Sequence, residues 1–397
     1  MKNPIIVDLG THTIKAGFAN EKEPRLIIPT IVGYPKYRRK INDKELYEKN
    51  FYIGNEAIKK RGILKLKYPI LNIIEDWNDI KKIFQELFLN LLQINPGEHP
   101  VLITEPPYNP KQNRKIMLKI LFETFNIPSV YICIPQLLSL VDSNRKIGCV
   151  IDLGADTSHI VPIYNNSVIK ENIKRFDIGG YQITDFLQNK LLRQKGYSLN
   201  SQSDRDIVRD LKETICYVAL DLEKEEIKFE NDPTLERSYK ISSDEIIRLG
   251  LEASYAPECL FEPAIIGKST PSLVDMIRET ISCCEKELRE ELYNSIILAG
   301  GTSMFSGLKE RILKKLRMEK IPEYKLSQFK TIMGKNMKLT ENPSSKYKLN
   351  VIAPLNRTYS AWIGGSQLAA QVDFQKKFIT RAQYKKEGLE LFNPYKI

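Results

Sequence analysis

Histidine is scarce in this sequence, and long apolar runs are missing. Three histidines, His12, His99 and His159, are scattered over 397 residues, and no two cysteines form a CxxC pair, so the usual patterns of a zinc site are absent. No segment reaches the roughly 18–20 apolar residues of a membrane-spanning helix, and residues 1–4 lead directly into strand-like Ile5 without a secretory leader. These absences predict a cytoplasmic protein with no membrane span.

Positive charge is in excess. The formal net charge is +11, and lysine and arginine concentrate in residues 36–40 and 309–348. A basic balance permits acidic partner surfaces, although solvated surface lysines are the simpler interpretation. No motif for direct binding of nucleic acid is present. The length exceeds what one hydrophobic core normally organises, which predicts two units.

An internal sequence repeat supports the expectation of two units. Residues 5–11 read IIVDLGT and residues 149–155 read CVIDLGA, and a second β-rich run follows each of them. The two copies lie about one domain length apart. Each copy predicts a hairpin with a glycine at its turn, and together they predict two related α/β lobes that face each other.

Helical periodicity accounts for much of the remaining chain. Apolar residues recur at helical spacing in five segments, which predicts helices over residues 77–92, 109–125, 204–222, 271–293 and 306–316. Two stretches lack such a period: 36–51 is highly charged, and 318–347 mixes lysine, proline, serine and asparagine. We expect both stretches to be exposed insertions.

The paired hairpins carry the chemical signal. Turn amides can hold phosphate oxygens, and Asp8 and Asp152 at the strand ends could bind Mg²⁺ through water, while Lys15 directs a cation at the phosphates. A third element is a strand followed by Gly300-Gly301 and a helix start, where amides favour negative charge. The alternatives are a repeat without a ligand and an ordinary strand–helix connection.

Several long strings then identify a family. The sequence resembles actin nearly end to end, through residues 61–70 (RGILKLKYPI), 98–107 (EHPVLITEPP), 206–213 (DIVRDLKE), 216–221 (CYVALD) and 359–365 (YSAWIGG). The sugar kinases and heat-shock ATPases share the hairpins with actin but not these strings. A small-molecule kinase is therefore a weak interpretation.

The resemblance implies the actin fold: two duplicated ribonuclease-H-like α/β lobes, divided into four subdomains, around a central nucleotide cleft. It implies ATP or ADP with Mg²⁺ or Ca²⁺ as cofactors. The implied bounds are 1–29, 69–142 and 359–397 for subdomain 1, 30–68 for subdomain 2, 143–178 and 270–358 for subdomain 3, and 179–269 for subdomain 4.

The resemblance also implies roles for individual residues. On one side, phosphates would meet Gly10, Thr11 and Lys15, and on the other Asp152 and Gly154, with Asp8 and Asp152 organising the waters of the metal. The ribose and adenine would lie between two groups of residues, namely Gly180, Lys212 and Glu213 on one side and Gly300, Gly301, Met304 and Phe305 on the other. His159 would help to orient the hydrolytic water.

One departure from the family lies close to this chemistry. Actins carry a glutamine that positions the attacking water, and here Pro135 occupies that place, with Gln136 one position later. Proline cannot orient water, so hydrolysis is expected to be slow unless Gln136 takes over. A second departure concerns assembly: the loop that actin inserts into its neighbour corresponds to the charged stretch 36–51, and burying unpaired charge is costly.

Two functions remain open on these grounds. The first is an actin-like cytoskeletal protein that self-associates into filaments in a nucleotide-dependent way and meets regulators of the profilin or gelsolin kind. The alternative is a non-polymerising actin-related protein that serves as an ATP-binding scaffold subunit of a larger complex. Pro135, the charged loop and the 318–347 insertion favour the second function, and the near-complete colinearity with actin favours the first.

Overall fold

The computed structural model describes residues 2–36, 40–41, 44–45, 49–71, 73–199, 201–241, 245–317 and 347–397. Half of the predicted charged loop 36–51 and nearly all of the predicted insertion 318–347 lie outside the described residues. The chain divides into two compact units, Met1–Arg145 with Tyr359–Ile397, and Lys146–Thr358. The four subdomain bounds inside these units remain a prediction.

A six-stranded sheet organises the described part of the first unit. Its strands, in spatial order, are Ile379–Thr380, Ser129–Cys133, Val101–Thr104, Ile5–Leu9, Thr13–Phe18 and Leu26–Pro29. The strand Ile5–Leu9 pairs antiparallel with Thr13–Phe18 and parallel with Val101–Thr104. Its residues Ile5 to Val7 are fully buried, because helices cover both faces of a sheet of this kind.

The helices of the first unit pack around that sheet. They are Trp77–Gln85, Lys111–Lys119, Pro135–Asp142, Ser360–Ala369, Val372–Gln375 and Arg381–Glu387. Glycine brings two of them together, since a Cβ on Gly364 would lie 1.9 Å from the carbonyl oxygen of Leu138. Trp362 Nε1 also donates to the Ile6 carbonyl at 3.2 Å, which ties the helix Ser360–Ala369 to the central strand.

Smaller elements complete the first unit. A three-stranded sheet and the helix Gly54–Lys59 enclose a satellite core of Ile31, Tyr52, Ala57 and Leu64. The strands of this sheet are Tyr52–Ile53, Val32–Pro35 and Leu64–Lys67. Two further strand pairs are Lys40–Ile41 with Lys44–Glu45, and Ile70–Leu71 with Ile73–Ile74. Short π-helical and 3-10 segments are Glu86–Leu91, Pro96–Glu98, Ile120–Thr124 and Gly388–Leu391.

The second unit repeats the central arrangement of the first. Its main sheet consists of Ser167–Val168, Ser158–Tyr164, Gly148–Leu153, Ile296–Ala299 and Val351–Ile352 in spatial order, and Lys174–Phe176 pairs with Ser158–Tyr164. The strand Gly148–Leu153 pairs antiparallel with Ser158–Tyr164 and parallel with Ile296–Ala299. The internal sequence repeat therefore corresponds to a repeated topology, in which an antiparallel hairpin pairs with a parallel third strand in each unit.

Helices surround the sheet of the second unit. The α-helices are Gly180–Phe186, Gln202–Ile215, Leu222–Asn231, Glu252–Tyr255, Leu273–Ser282, Arg289–Tyr293 and Leu308–Arg317. A separate hairpin pairs Arg237–Lys240 with Ile246–Leu249. Shorter helical segments are Lys170–Asn172, Leu187–Leu192, Pro233–Leu235, Ala256–Leu260, Pro263–Ile266 and Gly301–Met304. Across the described residues of both units, no helix has the length and apolar character needed to cross a membrane.

Candidate functional site

Asp8 ends the first strand of the first hairpin and is held there by a network. Thr104 Oγ1 donates to Asp8 Oδ1 at 2.9 Å and accepts from the Leu9 amide at 2.8 Å. Lys15 Nζ lies 3.3 Å from Asp8 Oδ2. Asp8 is 7% exposed, so its carboxylate is fixed in orientation and partly neutralised by Lys15. Sequence reasoning missed Thr104, whose role depends on strand pairing 96 positions away.

The turn that follows Asp8 needs glycine. A Cβ on Gly10 would lie 2.6 Å from the Thr13 carbonyl oxygen and 3.5 Å from Lys15 Nζ. Thr30 Oγ1 donates to the Gly10 carbonyl at 2.8 Å, and Thr11 is half-buried at the tip. The ammonium of Lys15 therefore lies beside the turn, as expected of a group that binds phosphate.

The turn of the second hairpin joins three elements of the second unit. The carbonyl oxygen of Gly154 accepts from Thr302 Oγ1 at 2.7 Å and from the Gly180 amide at 3.1 Å. A Cβ on Gly154 would lie 2.5 Å from the Thr157 carbonyl oxygen, so this turn also requires glycine. No local signal in the sequence pointed to Thr302, because its partner Gly154 lies 148 positions away.

Lys212 lies against the start of the helix Gly180–Phe186. Its Nζ donates to the Gly180 carbonyl at 3.1 Å, and a Cβ on Gly180 would lie 3.2 Å from that Nζ and 2.9 Å from Thr302 Oγ1. Lys212 is 5% exposed, and burial lowers the pKa of its ammonium. Glu213 is mostly exposed, and its carboxylate lies 3.9 Å from Lys212 Nζ. The approach of these groups leaves space only for glycine at position 180.

The turn after the strand Ile296–Ala299 packs against Asp152. Gly300 has a φ of +83°, and a Cβ there would lie 2.5 Å from Asp152 Oδ1. Gly301 and Met304 are exposed next to it, whereas Phe305 is buried in the core of the second unit. The structure thus joins Asp152, Gly154, Gly180, Lys212 and Gly300 through direct contacts, directs Met304 outwards and places the Phe305 ring inside.

Arg357 fastens this turn, and sequence reasoning missed it. Its guanidinium donates to the Ser303 carbonyl at 3.0 Å and to the Pro354 carbonyl at 2.8 Å, while its own carbonyl accepts from the Gly300 amide at 3.1 Å. Burial lowers the pKa of Arg357. An arginine in a turn gives no local signal in the sequence of such backbone contacts.

His159 faces Asp152 across the second hairpin. The two residues are direct partners in the antiparallel register, and Arg175 lies opposite His159 on the next strand. The pKa of His159 is lowered to about 4, mainly by burial. The positive charge of Arg175 also lowers this pKa, and the negative charge of Asp177 raises it by less. The imidazole is therefore neutral at physiological pH.

Pro135 and Gln136 open the helix Pro135–Asp142. Pro135 is its first residue, where a missing amide hydrogen costs nothing. Gln136 is the second residue and is only 1% exposed. The chain enters the helix from extended Ile134, whose amide donates to the Pro394 carbonyl at 3.1 Å.

Each hairpin, taken within its own unit, has residues whose chemistry suits phosphate or a hydrated cation. In the described part of the chain, no group of three or more histidine, cysteine, aspartate or glutamate side chains could hold a metal directly. A single carboxylate, such as Asp8 in the first unit or Asp152 in the second, suits Mg²⁺ bound through water, because Mg²⁺ keeps several of its waters and takes phosphate oxygens as ligands. Glycines that exclude a Cβ, together with Lys15 and Lys212, suit phosphate and sugar groups that approach the backbone.

The whole chain was compared with models of known protein families. The family model described as Actin matches residues 1–394, which is nearly the whole chain.

Proposed function

The chain belongs to the actin family, and from this premise we propose that it is an actin-like cytoskeletal protein that binds ATP with a divalent cation and assembles into filaments in a nucleotide-dependent way. Hydrolysis of ATP would be slow and coupled to assembly. The proposed compartment is the cytoplasm.

One observation carries the nucleotide part of this proposal. Gly180 lies between Lys212 Nζ and Thr302 Oγ1, with no space for a side chain, and its amide shares the Gly154 carbonyl with Thr302. Close contacts with this chain's own atoms require these glycines, and Lys212 adds a buried ammonium to the same surface. Such a surface suits a ligand that contacts backbone and carries negative charge.

The residues of the two hairpins would take the phosphates and the metal. Lys15 would direct its ammonium at phosphate oxygens beside the amides of Gly10 and Thr11. Asp8 and Asp152 would accept hydrogen bonds from waters of the cation. The bound cation would supply charge neutralisation of the phosphates.

The base and sugar would occupy the surface next to the second hairpin. Lys212 and Glu213 would lie on one side of the ribose and adenine. Gly301 and Met304 would lie on the other side, since both are exposed beside the Gly300 turn. Phe305 would act from the core, by supporting the position of Met304.

His159 would orient water and would not remove its proton. A side chain with a pKa near 4 is a weak base at neutral pH, but its neutral ring can accept or donate a hydrogen bond. Since Pro135 has no group to share this task, orientation of the water would be incomplete. Slow hydrolysis is the expected consequence.

The binding test uses calorimetry of the full chain with ATP, in Mg²⁺ and in excess chelator. We expect binding that requires the divalent cation, and Asp152→Ala should weaken it at least about tenfold, or about 1.4 kcal/mol. The matched control is Asp373→Ala, because Asp373 is 93% exposed and pairs only with Lys376 among described residues. Absence of ATP binding, or equal binding by both variants, would contradict the site assignment.

Assembly is tested by sedimentation and electron microscopy of the pellet with Mg-ATP, Mg-ADP or chelator. Filaments that depend on the nucleotide support the proposal. A protein that binds ATP but stays monomeric in every condition would instead support the alternative, an ATP-binding scaffold subunit of a larger complex.

A further inference from the structure

A cavity of about 270 Å³ lies in the first unit, and none of the residues assigned to the nucleotide lines it. One side is the strand Ser129–Cys133, and the other is formed by residues 391–397. Tyr131, Ile132 and Phe392 are the buried residues of its lining, whereas Lys377 and Lys396 are exposed. The cavity therefore combines buried apolar side chains on its wall with two cations at its open edge.

The walls of this cavity are held by hydrogen bonds and ring packing. Tyr131 OH donates to the Lys396 carbonyl at 2.9 Å, and the Ile134 amide donates to the Pro394 carbonyl at 3.1 Å. The Tyr131 ring packs edge-on against Phe374 with centroids 4.7 Å apart. The cavity is thus a preformed feature of the unit, as is usual for binding sites.

The two edge cations lack acidic partners among the described residues. Asp373 pairs with Lys376 at 2.7 Å, and Glu390 pairs with Lys111 at 2.9 Å, so the nearby carboxylates are already engaged. In the described chain, neither Lys377 nor Lys396 has a carboxylate within ion-pair distance; Lys377 lies only over the Phe374 ring, at 5.8 Å. Their charges are therefore available to an anionic partner.

The size of the cavity restricts the occupant. Small-molecule sites span about 300–1,000 Å³, so this cavity is below the range for a drug-sized ligand. It is large enough for one bulky apolar side chain, the kind of anchor that dominates protein interfaces. Lysines at the edge would then select carboxylates next to that anchor and would speed the encounter.

We propose that this cavity is a docking site for an acidic linear segment of a partner protein, which inserts one large apolar side chain and places flanking carboxylates on Lys377 and Lys396. The site is separate from the nucleotide site.

The test is selection of phage-displayed random dodecapeptides on the immobilised full chain, followed by affinity measurements on the enriched peptides by fluorescence polarisation. The test variant is Lys377→Glu with Lys396→Glu. The matched control is Lys385→Glu with Lys386→Glu, which makes the same charge change on the helix Arg381–Glu387, outside the cavity lining. Circular dichroism checks that each variant is folded.

We expect enriched peptides with an aromatic or leucine residue beside aspartate or glutamate. The cavity variant should bind them at least tenfold more weakly, and the control should bind them within about twofold of wild type. A peptide with serine in place of the apolar residue should lose binding as well. The proposal would be overturned if no peptide is enriched, if the enriched peptides lack acidic residues, or if both variants lose binding equally. It would also be overturned if the chain binds phosphatidylserine vesicles rather than peptides and only the cavity variant loses that binding.

Discussion

His159 should make the stability of the second unit depend on pH. Its imidazole is buried, with Asp152 and Arg175 as its neighbours across the sheet, and its pKa falls from 6.5 to about 4 on folding. Replacing it by asparagine removes the titrating group and keeps a polar side chain of smaller size. The change tests whether the buried ring is neutral in the folded protein.

The direction of the effect follows from proton binding. Between pH 6.5 and about 4, the unfolded chain binds a proton at His159 and the folded chain does not, so acid favours unfolding. The contribution is complete above pH 6.5 and is lost as the pH falls towards 4. A pKa change of this size corresponds to about 3 kcal/mol of unfolding free energy.

Urea unfolding at several pH values measures this contribution. Wild type and His159→Asn are compared at pH 7.5, 6.5, 5.5 and 4.5, and the difference between their free energies of unfolding is plotted against pH. The asparagine variant loses packing at every pH, which shifts the curve without changing its slope. We expect the advantage of wild type to shrink steadily below pH 6.5.

A pH-independent difference between the two proteins would refute this reasoning. Direct titration gives a second check, because the chain has only three histidines and the variant identifies the His159 signal in a proton NMR spectrum. A His159 pKa near 6.5 in the folded protein would show that the ring is hydrated, and its role in orienting water would need another basis.

Two further predictions concern backbone geometry and hydrolysis. Gly300→Ala should lower the free energy of unfolding by about 1–3 kcal/mol, because φ is +83° and a Cβ would lie 2.4 Å from the Leu153 carbonyl oxygen. The control Gly301→Ala has open space around its Cβ and should change the free energy of unfolding by less than about 0.5 kcal/mol. Equal effects of the two substitutions in urea unfolding would contradict the geometry. Pro135→Gln should raise the rate of phosphate release, because a group that orients the attacking water typically contributes about 10²–10⁴-fold to the rate. Gln136→Ala should change this rate little. A wild-type rate like that of filamentous actins, abolished by Gln136→Ala, would show that Gln136 orients the water instead.

The fold was largely predictable because its signal is local. The two Asp-Leu-Gly copies predicted both hairpins, and the structure has them at Ile5–Phe18 and Gly148–Tyr164. Helix ends were less predictable. The segment predicted as a helix over 204–222 stops at Ile215, because Cys216 is extended with a ψ of 148°. Cys216, Val218 and Ala219 are nevertheless buried, in a non-helical stretch where the Val218 amide donates to the Ser306 carbonyl.

A second helix prediction failed for a similar reason. The period over 271–293 continues through the sequence, but the structure has two helices, Leu273–Ser282 and Arg289–Tyr293, with a break at Cys283 to Leu288. Cys284 is buried in that break and Cys283 is exposed. Apolar spacing reports which residues are buried, and a buried turn can produce the same spacing as a helix.

Whether a site residue could be predicted also depends on whether its contacts are local or distant in the sequence. Glycines and aspartates at the turns could be found from the sequence, since their types are set by turn geometry. The positions of Thr104 and Thr302 could not, because their partners Asp8 and Gly154 lie 96 and 148 positions away. Only the pairing of strands brings these hydroxyls to the carboxylate and the carbonyl.

The contacts of the second unit also decide which variants can test its function. Gly154, Gly180 and Gly300 each exclude a Cβ because of this chain's own atoms, so a side chain there would disturb the fold whether or not a nucleotide binds. Loss of binding in a glycine variant would therefore not distinguish a damaged site from a damaged unit. Asp152 and Lys212 differ from these glycines, since truncating their side chains creates no clash. The decisive evidence for a nucleotide site must come from charge removal at these two residues, with affinity and stability both measured, since Lys212 also donates to the Gly180 carbonyl.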